Sequence, residues 1–334
     1  MKLLLVGLDG VRVDLALPDV VAADPAFAEP DHPADPRFGA AARETPVVGG
    51  TTARVAPTLA RLAAGGRVVP VWMTPPTDSG PGWSSLLTGT THEQNGVWWN
   101  EFVGHRLARC PDLLSQVFAA DPRARTFAAC TWRALVDPGG PGPVIHSRPD
   151  QQVGGQHQVF AATDVADGCR SADRQVRTRA AWVLNHEGPD AAFVHLEGPD
   201  EAAHRHGSAG PEYLEALADA DEHVRCLVKA VAERYEQLGE DWLVAVTTDH
   251  GHKPEGGHGE DEVVVRRSFL LLHRIGGPLP AGLLGLGTLR SHEVAPVLLG
   301  AVGVRPGSYA ADHPVGELRD VPPSGPTRDL RFEW

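Results

Sequence analysis

The run Lys2-Leu3-Leu4-Leu5-Val6-Gly7-Leu8-Asp9-Gly10 reads as a core strand that ends on an acid. The same pattern recurs twice. The apolar run Ala191–Leu196 leads through Glu197-Gly198-Pro199 to Asp200, and Trp242–Thr247 stops at Thr248-Asp249-His250-Gly251-His252. In open α/β sheets, ligands gather beyond the carboxyl ends of the strands. Acids and imidazoles at several such ends can converge on one point.

Longer amphipathic stretches separate the apolar runs. That alternation predicts an α/β fold, a mainly parallel central sheet with helices on both faces. Strands are expected over 2–8, 67–73, 125–131, 190–196, 242–248 and 267–273, and helices over 55–65, 80–89, 111–120, 170–187, 210–237 and 292–302. The segment 18–48 is rich in Pro, Ala and Asp and shows no clean period, so it reads as an irregular insertion near the site entrance. Pro and Gly mark 138–143 as a loop, and 306–334 reads as an extended tail. No internal repeat or strong linker divides the 334 residues, which predicts a single catalytic domain over 1–334 with loop insertions.

The formal charge of −13 argues against nucleic-acid polymers and anionic membranes as partners. A small phosphate ester stays open, because metal ions reverse the sign locally. Cys110, Cys130, Cys169 and Cys226 lie far apart and form no CxxC pair, so reduced thiols are expected rather than a zinc-thiolate or redox site. No apolar stretch reaches membrane-spanning length, and Met1-Lys2 runs straight into a core strand. A cytoplasmic enzyme is the expectation.

Asp200 and His204 stand four residues apart, which on a helical turn lets both reach one ion. Carboxylate oxygens and imidazole nitrogens are the usual zinc donors where thiolates are absent. Asp249 and His250 follow a strand directly, and Gly251 gives the chain freedom to turn. His258 sits between glycines in Gly257-His258-Gly259. His252 is expected behind the donors or exposed to solvent. Asp9 alone would be a turn residue; its weight comes from its company. Ser79 precedes Gly80-Pro81-Gly82-Trp83, at or near a helix N-cap. Two readings of it stand, a capping serine and a metal-activated nucleophile facing a phosphoryl group. Trp83, one turn into that helix, is expected to wall the pocket, with Trp72, Trp98 and Trp99 as further rings. Arg12, Arg133 and Lys253 are candidate phosphate contacts.

In their order along the chain these residues resemble the alkaline phosphatase superfamily, and within it the type I phosphodiesterase/nucleotide pyrophosphatase branch. The resemblance runs from Leu8-Asp9-Gly10-Val11-Arg12 through Ser79-x-Pro81 to Leu87-Thr88-Gly89, then His92-Glu93-Gln94-Asn95-Gly96-Val97 and Asn100. It continues through Gly198-Pro199-Asp200-x-x-x-His204, Thr248-Asp249-His250-Gly251 and Gly257-His258-Gly259. It implies a two-zinc site, or Mn²⁺ or another divalent ion in place of zinc. Asp200, His204 and His258 would hold one ion; Asp9, Asp249, His250 and the Ser79 oxygen would hold the other. Ser79 stands nine residues before Thr88, the spacing of the family's nucleophile. Asn100 matches a family position near the substrate.

Three positions depart from the family pattern. Ser79 replaces the usual threonine, Gly82 stands where an asparagine is common, and Asn95 stands for a histidine. The reading that follows is a two-zinc hydrolase of phosphodiester or pyrophosphate bonds acting through a phosphoserine on Ser79. A phosphomonoesterase of the same superfamily is the alternative. A sulfatase would carry Arg where Trp83 stands, and a non-catalytic metal-binding protein would not need a nucleophile.

Overall fold

The computed structural model describes residues 1–28, 55–163 and 166–305. One eight-stranded sheet organises them, in the order β4-β3-β5-β1-β6-β7-β2-β8. Its strands are β1 (Lys2–Leu8), β2 (Arg67–Trp72), β3 (Thr126–Cys130), β4 (His157–Ala161), β5 (Ala191–Leu196), β6 (Trp242–Thr247), β7 (Arg267–Ile275) and β8 (Leu289–Arg290). Among the described strands, β7 alone runs against the rest; it pairs antiparallel with both β6 and β2. The expected α/β class holds.

The alternation along β1 explains the layers. Leu4, Val6 and Leu8 point into one core with Val244 and Val246 of β6, while Leu3 and Leu5 point into the other with Leu243 and Ala245. The first face is covered by helices α1 (Pro57–Ala64), α4 (Gly168–His186) and α6 (Pro211–Leu238). The second is covered by α2 (Ser79–Thr88), α3 (Leu113–Ala120) and α7 (Val294–Ala301). Helix α5 (Gly198–His206) follows β5 at the carboxyl edge. A strand apolar on both sides must be covered on both sides, so no face of β1 is left for solvent.

Register brings the acid-bearing ends together. Gly7 of β1 lies opposite both His195 of β5 and Thr247 of β6. The strands on either side of β1 therefore run out at one level, and Asp9, Asp200 and Asp249 emerge at the same edge.

Two expectations need correction. The edge strands β4 and β8 carry no clear signal. His157–Ala161 is half-buried over four of its five residues, and β8 has only two residues. The segment expected to be irregular over 18–48 begins with a helix, Pro18–Ala23, and a 3-10 turn, Pro25–Phe27. Phe27 is fully buried, its carbonyl accepts from Arg267 Nε at 2.7 Å, and the Ala26 carbonyl accepts from Trp72 Nε1 at 3.0 Å. Residues 29–48 and the tail 306–334 lie outside the described residues.

Candidate metal centre

Asp9, Ser79, Asp249 and His250 arrive from three elements and meet as a cage. Asp9 leaves β1 into Gly10, whose φ of 66° suits glycine. Ser79 is the first residue of α2, with Asp78 in the capping position, and is 7% exposed. Ser79 Oγ lies 3.2 Å from His250 Nε2 and 3.4 Å from Asp9 Oδ1. His250 Nε2 lies 3.4 Å from Asp9 Oδ1 and 3.4 Å from Asp249 Oδ2. Zinc legs of about 2.0–2.1 Å at the tetrahedral angle put neighbouring donors about 3.3 Å apart. The measured edges match that spacing. Asp249 Oδ2 is buried and has no hydrogen-bond partner among the described residues, an orphaned acceptor that a cation would satisfy.

A second group stands beside the first. His204 Nε2 is 3.0 Å from His258 Nε2 and 3.5 Å from Asp200 Oδ2, and His258 Nε2 is 3.7 Å from Asp200 Oδ1. His204 sits on the rim, its side chain 49% exposed. Ring tautomers favour ligation by His250 and His258. Carbonyl oxygens only accept, so the Nδ1–H of His250 donates to Gly251 at 3.0 Å and that of His258 to Thr77 at 3.1 Å. Each neutral ring then turns an Nε2 lone pair inward.

Electrostatics agree. Burial holds His250 and His258 below the usual histidine range, so both rings are neutral and ligand-competent at neutral pH. Burial, then Asp9 and Asp200, pushes the Asp249 carboxyl well above the carboxylate range. Burial opposes ionisation of Asp200 too, but the hydrogen bond from His252 and the neighbouring His258 and His250 outweigh it and hold the carboxyl low. Beside Ser79, the Asp78 carboxyl is pushed up to about 6 by burial, then by Glu101 and Asp200.

Helix α5 is aimed by a buried cap. Asp173 of α4 accepts from the backbone N–H groups of Glu197 and Gly198 at 2.9 Å each and from Thr131 Oγ1 at 2.6 Å. Asp173→Ala would orphan two part-buried N–H groups, and a urea melt is expected to show a loss of about 2–4 kcal/mol. An unchanged midpoint would show that these contacts do not hold α5.

The residues expected to touch substrate divide. Asn100 stands at the nucleophile: its Oδ1 accepts from the Gly80 N–H at 2.7 Å. Trp83 is no pocket wall. It is 0% exposed, its indole N–H donates to Asp9 Oδ2 at 2.9 Å, and its ring occupies space that a side chain at Gly7 would need. Arg12 is also buried, 2.6 Å from Asp14 Oδ2 and 3.1 Å from Ser208 Oγ, so it does not face an incoming phosphate. Arg133 pairs with Asp137 at 2.8 Å and Lys253 with Glu260 at 3.3 Å. Trp72 is buried, whereas Trp99 is 52% exposed. Gly82 has a packing reason, since a Cβ there would stand 3.0 Å from the Asp249 Cβ.

Two further buried imidazoles stand against the acids, and His195 among them carries no expectation from the sequence. His252, expected behind the donors or exposed, has no exposure, and its Nε2 is 2.7 Å from Asp200 Oδ1. By position it groups with Asp200, His250 and His258 as a cluster able to hold an ion. His195, inside β5, places Nε2 2.9 Å from Asp9 Oδ2. Its only sequence signal is a lone imidazole in an apolar strand.

Over 272 residues, 78% of this chain, it is 25% identical to the human GPI ethanolamine phosphate transferase 3, catalytic subunit, and over 208 residues, 62% of the chain, 26% identical to the mouse protein. These matches span only 21% and 17% of those relatives' lengths. Murine ectonucleotide pyrophosphatase/phosphodiesterase 5, solved as an inactive variant in complex with AMP, superposes with a TM-score of 0.56 at 13% identity, covering 91% of this chain and 95% of that one. Phosphonoacetate hydrolase from Sinorhizobium meliloti 1021, in complex with phosphonoformate, gives 0.55 at 13% identity, covering 90% and 95%. At such identities these structures establish a shared fold. Residues 50–280, more than half of the chain, match the profile described as type I phosphodiesterase / nucleotide pyrophosphatase. The chain belongs to that family, within the alkaline phosphatase superfamily.

Proposed function

We propose that this chain hydrolyses phosphodiester or pyrophosphate bonds of small, nucleotide-like phosphate esters through a phosphoserine on Ser79. Two divalent cations, zinc in the first instance, would assist. One would be held by Asp9, Ser79, Asp249 and His250, the other by Asp200, His204 and His258. Family membership supports a phosphoester hydrolase. The observation that carries the finer reading is Ser79 Oγ at one corner of a buried cage, 3.2 Å from His250 and 3.4 Å from Asp9.

When bound, the cations would neutralise developing charge and lower the pKa of the Ser79 hydroxyl. The remaining roles belong to the chain. Ser79 Oγ attacks phosphorus and the bond to the leaving alcohol breaks. Water then attacks the same phosphorus, the Oγ–P bond breaks, and configuration is retained overall. Asn100 fixes the start of α2, and with it the nucleophile, through the Gly80 N–H. Three aspartates and a serine alkoxide balance the charge of two zinc ions, so an arginine is not required.

The surroundings favour the diester. Asp78 and Glu101 add negative character beside Ser79, and Arg12 and Lys253 are spent on carboxylates. A dianionic monoester gains little there, whereas a monoanionic diester is repelled less. The curated relatives support a second reading, in which an alcohol rather than water resolves the phosphoserine. Among the described residues no helix is long and apolar enough to cross a membrane, and the four cysteines are free, which suits the cytoplasmic setting we infer.

Zinc-loaded protein assayed with bis(p-nitrophenyl) phosphate and p-nitrophenyl phosphate is expected to prefer the diester by about tenfold or more in kcat/KM. A faster monoester would overturn the ester class. Hydrolysis of neither would favour a binding protein.

A further inference from the structure

We propose that His195 and His252 are positioning residues, each tying down one oxygen of an acid, Asp9 and Asp200 respectively, so that the other oxygen is presented in a fixed direction. The inference rests on the two-cation reading above and assigns roles to residues outside both donor sets.

Asp9 shows the arrangement most fully. Its Oδ2 faces away from the cage and takes two hydrogen bonds, from His195 Nε2 at 2.9 Å and from Trp83 Nε1 at 2.9 Å. Its Oδ1 faces Ser79 and His250 at 3.4 Å each. The His195 tautomer follows from its other nitrogen. The Trp132 backbone N–H approaches His195 Nδ1 at 3.5 Å, which leaves Nε2 to carry the proton. The rings stack the assembly in place, with Trp83 edge-on to His195 at 5.0 Å and tilted against Phe193 at 5.8 Å.

Asp200 repeats the device with one donor and less completely. Its Oδ1 accepts from His252 Nε2 at 2.7 Å and also stands 3.7 Å from His258 and 3.9 Å from His250, while Oδ2 turns to His204 at 3.5 Å. His252 Nδ1 is buried with no hydrogen-bond partner among the described residues. A bare lone pair is tolerated there more readily than an orphaned N–H, so the proton belongs on Nε2.

Distance and ring tautomer together separate positioning from ligation. Donors sharing one tetrahedral zinc stand about 3.3 Å apart. The contacts at 2.7 and 2.9 Å are hydrogen-bond lengths, shorter than every edge of the Ser79 cage and than the 3.0 Å His204–His258 edge of the second group. Four imidazoles around the acids thus sort into two pairs. His250 and His258 spend Nδ1–H on carbonyls and turn Nε2 lone pairs inward; His195 and His252 spend Nε2–H on carboxylates. Both positioning rings are fully buried and touch no substrate. A carboxylate held by one oxygen cannot swing to chelate with both, which would keep each acid, and the Ser79 cage around Asp9, in one geometry.

The test uses the full chain and Zn²⁺ alone, with chelator competition as the readout. Wild type is expected to bind two ions. His195→Phe should weaken one binding step and His252→Phe the other, each by about 10–100-fold. His195→Gln and His252→Gln restore an N–H donor and should return affinity to near wild type, whether or not the Phe variants fold well. X-ray absorption should count the same number of imidazole ligands in His252→Gln as in wild type. Unchanged affinity in folded Phe variants would overturn the inference while wild-type zinc binding leaves the two-cation reading intact. A lost imidazole in His252→Gln would make His252 a ligand and overturn its positioning role. Wild type that binds no zinc would instead sink the underlying reading, and this inference with it.

Discussion

Ser79→Ala is expected to lose turnover by about a thousandfold or more while keeping its fold and both cations. The size follows from the chemistry assigned to one oxygen. Without Oγ no covalent intermediate forms, and water must attack directly from a position the cage was not built to hold. Metal binding should survive because Asp9, Asp249 and His250 remain, with His250 equidistant from both acids at 3.4 Å. Water can occupy the vacated corner. The variant also removes little packing, since a buried serine-to-alanine change deletes a single oxygen. Acid-quenched wild type should carry, by intact mass during turnover, one added phosphoryl group still bearing the substituent that the diester retains, and the variant none. A variant retaining a rate within tenfold of wild type, or showing the same mass gain, would remove Ser79 from the chemistry.

The sheet and the gathering of acids could be read from sequence because both follow from periodicity. Runs apolar on both faces at β1, β5 and β6 leave only central strands, and a central strand that ends on Asp must present that acid at the sheet edge. Direction was harder. Trp83 stands one helical turn after Ser79, so spacing alone puts it beside the substrate. It turns under β1 instead because Gly7 leaves room for its ring. Arg12 follows Asp9 in a motif associated with phosphate, yet Asp14, two residues on, turns its guanidinium inward. His252 is two residues past His250 around a glycine bend, where sequence spacing carries no angular information. His195 was hidden because one imidazole barely disturbs an apolar strand. Edge strands such as β4 were missed for a related reason: half-buried residues need not be apolar.

Zinc and chelator should move stability far more than most mutations, and in opposite directions for one variant. Asp9, Asp200 and Asp249 are buried within one centre. Without cations, burial and the other two carboxylates push the Asp249 carboxyl well above its unfolded value. The sign is then fixed. A group whose folded pKa is raised favours the folded state fully at pH below its unfolded value, and that advantage is lost as pH rises through the raised one. At neutral pH, apo protein therefore carries Asp249 either protonated or as a costly buried anion. Asp249→Asn removes the liability and should raise the Tm of chelator-treated protein by about 2–4 °C per kcal/mol recovered. The same change removes a cage corner whose oxygen has no other partner among the described residues, so zinc should no longer stabilise through that site. Wild type should behave in reverse. Zinc at about a thousand times its Kd contributes about 4 kcal/mol per site, or roughly 10 °C. Thermal melts of both proteins with zinc and with chelator give four values, and the prediction is a crossing: the variant melts higher without metal and lower with it. Parallel shifts, or a wild type indifferent to zinc, would mean that these carboxylates were not assembled to hold cations.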